Sequence, residues 1–84
     1  MTAEFQEYNR LVYLGDKVNS GASTEEEKNE FMEYLYTHGK ITSEQYENYR
    51  AGRNADKIVN MALSVGAVYL MTYLFSQTFL QKTA

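Results

Sequence analysis

Apolar positions at helical intervals organise most of the chain. Phe5, Tyr8, Leu11, Val12 and Val18 recur at such spacing with Glu4, Glu7 and Arg10 between them, which predicts an amphipathic helix over about 3–19. Thr2 stands where an N-cap would be. Asn19-Ser20-Gly21-Ala22 breaks the pattern and reads as a loop. Ser23 with Glu26, and Thr24 with Glu27, both have the spacing of a capping box, and Glu25 to Glu27 suit the positive end of a helix dipole. A second helix is expected over about 24–38, with Phe31, Leu35 and Met32 inward, closed by His38-Gly39. Thr42 and Gln45 form another capping-box pair, opening a short helix over about 43–52 that carries Tyr46 and Tyr49. Ala51-Gly52 interrupts it, and Asn54 or Asp56 is placed to start a fourth helix over about 55–81. The fold class is therefore all-α: three short amphipathic helices followed by one long hydrophobic helix.

That last helix differs in kind from the others. Ile58 to Leu80 is uncharged, and at 1.5 Å per residue it is roughly 34 Å long, enough for a hydrocarbon core of about 30 Å. On a helical wheel Asn60 and Ser64 lie on one side, while Tyr69, Thr72, Tyr73 and Ser76 lie mostly on the other. Leu63, Val65, Val68, Leu70, Leu74 and Phe75 surround the axis. A helix apolar all round belongs either in lipid or inside protein.

Charge sharpens the division. All 11 acidic residues and 7 of the 8 basic ones precede Ile58, and none falls between Ile58 and Gln81. The chain therefore divides into an acidic helical head over 1–57, a hydrophobic helix over 58–80 and a short tail over 81–84. Arg50, Arg53 and Lys57 precede the apolar segment and Lys82 alone follows it, which by the positive-inside rule predicts an N-terminus on the cytoplasmic or matrix side. Met-Thr-Ala-Glu-Phe has neither the basic start nor the apolar run of a secretory signal. Ala62 and Gly66 form a small-xxx-small pair with Tyr69 and Tyr73 on the same side, a patch where another transmembrane helix would come nearest.

A second arrangement satisfies the same pattern. The head's main aliphatic residues are Leu11, Val12, Leu14, Val18, Leu35 and Ile41, too few for an independent core in a chain of 84 residues. Wrapping three short helices around the long one would supply what is missing.

Candidate chemistry adds little. The net charge of −3 gives no reason to expect nucleic acid. Without cysteine there is no disulfide or thiolate metal site. Asp16 to Glu27 can be set in an EF-hand register, with Asp, Ser, Gly, Thr and Glu at positions 1, 5, 6, 9 and 12. Val18 at position 3 cannot ligate and Ser23 stands where an apolar residue is usual, so a loop before a capped acidic helix is the better account. His38 is the single histidine and is expected to meet the last carbonyls of its helix. Glu30, Glu33, Glu44 and Glu47 read as a solvated helix face. No phosphate loop, nucleophile elbow or dinucleotide fingerprint is present, so neither an enzyme nor a cofactor is expected. Eight tyrosines suit either contact surfaces for a protein partner or the filling of a small irregular core. Tyr34 and Tyr36 cannot face the same side of one helix, so at least one should be exposed, as tyrosines at interfaces are.

Two functions follow as expectations. The first is a single-pass, tail-anchored membrane protein serving as accessory subunit or adaptor of a larger assembly, with almost nothing beyond the span. The second is a soluble helical interaction module (a viral structural component, an inhibitor or a homo-oligomer) whose last helix is core or oligomer interface. A small pore-former is a weaker third, since such peptides more often have basic flanks or several spans.

Overall fold

In this computed structural model, which describes the backbone of residues 3–83 and the side chains of residues 6–75, the predicted helices are all present. They are α1 (Ala3–Asn19), α2 (Glu25–Thr37), α3 (Ser43–Arg50) and α4 (Ala55–Thr83), with no strand among the described residues. Thr2 and the side chain of Phe5 lie outside the described residues.

The joints follow the sequence signals closely. Of the two capping boxes available to α2, the chain uses Thr24: its hydroxyl accepts from the Glu27 N–H and the Glu27 carboxylate accepts from the Thr24 N–H. Thr42 and Gln45 do the same for α3. At the end of α2 the Lys40 N–H donates to the Leu35 carbonyl and the Gly39 N–H to Tyr36, the Schellman pattern, with Gly39 at φ +70° where a side chain would be strained. The same pair of bonds closes α1 at Ala22 and Gly21, and α3 at Arg53 and Gly52. Asn54 takes φ +53°, a left-handed conformation that asparagine tolerates better than most residues, and its carbonyl accepts from Ile58 as α4 begins.

These tight turns fold the first three helices onto one side of the fourth. Leu11 and Leu14 of α1, Phe31, Met32 and Leu35 of α2, Ile41, Tyr49 of α3 and Ala62 of α4 form the buried core. Ile58, Val59, Met61, Leu63, Tyr69 and Leu70 pack around it, so the packing runs without a break across residue 57. The near half of α4 thus supplies the core that the head lacks.

Phe31 sits at the centre. An ideal Cβ on Gly66 would lie 3.3 Å from its Cζ, and one on Gly15 would lie 3.7 Å from its Cε1. The ring is thus wedged between two helices that carry glycine where they approach it. The molecule is elongated, 47 × 24 × 20 Å, the long axis matching the roughly 43 Å of a 29-residue helix.

Candidate functional site

The long helix presents two unlike faces. Ala62, Gly66, Tyr69 and Tyr73 follow one another at helical intervals, and this stripe faces the head. Ala62 is fully buried, Gly66 is buried against Phe31, and Tyr69 and Tyr73 are half-buried. The small-residue patch expected to admit a helix from another protein therefore admits the chain's own α2.

Tyr8 stacks on Tyr73 with ring centroids 4.6 Å apart, and Tyr34 stacks on His38 at 4.0 Å and on Tyr69 at 6.4 Å. Contact at Tyr73 near the start of α1, and a groove between Val12, Gly15, Asn19 and Leu63, Ala67, Leu70 further on, show that α1 runs antiparallel to α4.

The opposite face is bare. Val68, Met71, Leu74 and Phe75 are 63, 69, 51 and 73 % exposed. Val68, Met71 and Phe75 follow at three and four residues, forming one stripe. Lys40 borders it, with its ammonium 4.7 Å from the Tyr69 ring centroid. Water meets this face at a cost, since its side chains are apolar.

Around the head the electrostatics are local. Arg10 donates through Nε and Nη2 to the two carboxylate oxygens of Glu30, both at 2.8 Å, tying α1 to α2. Tyr13 donates to Glu27 at 2.9 Å. The Arg10 guanidinium holds the Glu30 carboxyl below the usual carboxylate range, and the Thr24 N–H with the Tyr13 hydroxyl does the same for Glu27. Burial raises the Tyr34 hydroxyl, with Tyr69 adding to the effect. Burial likewise pushes Tyr49, which donates to Asn29, up to about 12.

The remaining candidates fall as follows. Tyr36 is exposed, its ring stacked on Tyr46 at 4.5 Å, while Tyr34 is half-buried, as their spacing requires. Arg50 lies over the Tyr46 ring, Arg53 donates to Asn48, and both are exposed together with Lys57 at the near end of α4. His38 Nδ1 is 2.9 Å from the Tyr34 carbonyl, the helix-end contact expected of it. The EF-hand register is not realised: Asp16 to Asn19 form the last turn of α1, and Glu27 is committed to its cap. Among the described residues no three His, Cys, Asp or Glu side chains gather as a metal site. What sequence reasoning missed is the direction of each stripe on α4, because only the positions of the other helices decide it. Comparison with known protein families, curated proteins and solved structures finds no match.

Proposed function

We propose that this chain is a small, non-enzymatic, membrane-anchored adaptor in which α4 docks to the bilayer and the helical head meets protein partners. The observation that carries this reading is the bare stripe of Val68, Met71, Leu74 and Phe75 on a helix without a charged residue from Ile58 to Gln81. Ala55–Phe75 is long and apolar enough to cross a membrane. Arg50, Arg53 and Lys57, exposed at its near end, suit the negatively charged face of a cytoplasmic or matrix leaflet. Exposed Tyr36 offers the head a contact residue of the type enriched at interfaces. The test is phase separation of the full chain in a cloud-point detergent. Recovery in the detergent phase is expected, and a monodisperse monomer in plain buffer that ignores lipid vesicles would overturn the anchor.

Burial of Ala62 and Gly66 in the chain's own core favours a second reading, a soluble module in which α4 is the core helix and its bare stripe binds another protein. Sedimentation in detergent-free buffer separates the two: this reading requires a discrete soluble oligomer or complex.

A further inference from the structure

The head and a bilayer need the same stretch of α4. Phe31 reaches α4 at Gly66, Tyr34 at Tyr69 and Tyr8 at Tyr73, so α1 and α2 accompany the helix from its near half to Tyr73 at least. Of the segment that qualifies as a span, Ala55–Phe75, they cover the face that carries Gly66, Tyr69 and Tyr73 and leave the opposite face bare. Helices α1 and α2 carry Glu7, Arg10, Asp16, Glu30 and Glu33, all exposed. A bilayer around this part of α4 would have to take in these charges, which hydrocarbon excludes.

We infer that the head is a removable sheath on α4: closed, it keeps the chain off the membrane interior, and only its release from Gly66, Tyr69 and Tyr73 lets α4 cross a bilayer. The inference rests on the membrane reading above and adds its regulation. The bare stripe is the face through which the closed form first touches lipid, and the sheathed stripe is the face that insertion must uncover. Arg10–Glu30 and Tyr13–Glu27 join α1 to α2 without involving α4, so release does not itself break these links. Lipid replaces protein around Ala62, Gly66 and Leu70, so their apolar surface stays away from water in both states. The stripe of Val68, Met71, Leu74 and Phe75, exposed in the closed form, gains burial on insertion, while the head loses its cover.

The chain has no cysteine, so a pair introduced as Tyr8→Cys and Tyr73→Cys is unique, and a thiol-cleavable bis-maleimide closes the sheath across those positions. The closed and the cleaved protein, each checked for wild-type helical content by circular dichroism, are incubated with vesicles of phosphatidylcholine and phosphatidylglycerol and extracted with alkaline carbonate. Closed protein should wash off, and cleavage should raise the carbonate-resistant fraction several-fold. Gly66→Leu, which forces Phe31 away, should raise it without any cross-link. Equal resistance of closed and cleaved protein would overturn the sheath and leave the anchor standing. Failure of both to bind vesicles would overturn the anchor as well, and a dimer in sedimentation would then assign the bare stripe to a second copy.

Discussion

Phe31 is the residue on which the packing turns, and the two glycines beside it are not equivalent. A Cβ on Gly15 would make ordinary contact with the ring at 3.7 Å, so Gly15→Ala should stabilise through helix propensity, by up to about 1 kcal/mol. A Cβ on Gly66 already approaches to 3.3 Å, and a leucine there has no room while Phe31 stays in place. Gly66→Leu should therefore destabilise the closed form by about 1–3 kcal/mol, the usual range for overpacking. Thermal melts of the two variants in buffer should move in opposite directions; a shared direction would show that the ring is not wedged. Tyr49 carries a second prediction. Its hydroxyl, ordinarily at 10.0, is pushed up to about 12 by burial, so the fold favours the neutral form. The resulting stability is complete below pH 10 and is lost as pH rises through about 12. Circular dichroism with tyrosinate absorbance should show helix loss accompanying ionisation, and Tyr49→Phe should move that loss to higher pH. The same variant should cost about 0.5–1.5 kcal/mol at neutral pH by removing the bond to Asn29.

The helices themselves could be read from local chemistry. Thr24 with Glu27, Thr42 with Gln45 and the glycines at positions 21, 39 and 52 act within a few residues of where they stand, so their signals survive without knowledge of the fold. The faces of α4 could not be read this way. Ala62 and Gly66 are compatible with a partner helix or with Phe31, and the choice depends on where two five-residue loops deliver α2. Val68 illustrates the same limit: in a wholly buried core helix a charge there would unfold the protein, yet the structure leaves it 63 % exposed. Val68→Arg should therefore keep the helical content and melting of the free chain close to wild type. Membrane docking should fall, since a charge near the middle of a span costs about 2.5–3.5 kcal/mol on insertion scales. Vesicle flotation and circular dichroism on the same preparation give both readouts. Loss of helix in buffer would mean that the stripe is covered, most simply by a second copy.

At the scale of the whole molecule, α4 belongs to two possible environments, and the head bears the consequence of the choice. With α4 in place, Leu11, Leu14, Phe31 and Leu35 are closed off from water. With α4 in a bilayer, the face of α1 and α2 that met Ala62, Gly66 and Leu70 is left open, and an adaptor would offer that face to its partner. The fragment ending at Lys57 reproduces the opened head in water. Local signals persist in it: both capping boxes and the Arg10–Glu30 pair lie within the fragment, so some helix should remain. What it lacks is the surface that makes packing cooperative, because a chain of this size buries too small a share of itself to tolerate losing one of its four helices. Deletion of residues 58–84 should therefore give a broad melt in place of a sharp one and binding of a hydrophobic dye, the marks of compact helices without fixed packing. Full-length protein inserted in vesicles should show the same loosened head by hydrogen exchange, confined to residues of α1 and α2 that face α4. If the fragment instead melts cooperatively at the temperature of the full chain, the head is an independent domain. Contacts at Gly66, Tyr69 and Tyr73 would then contribute little, and the competition between head and bilayer would have no energetic basis.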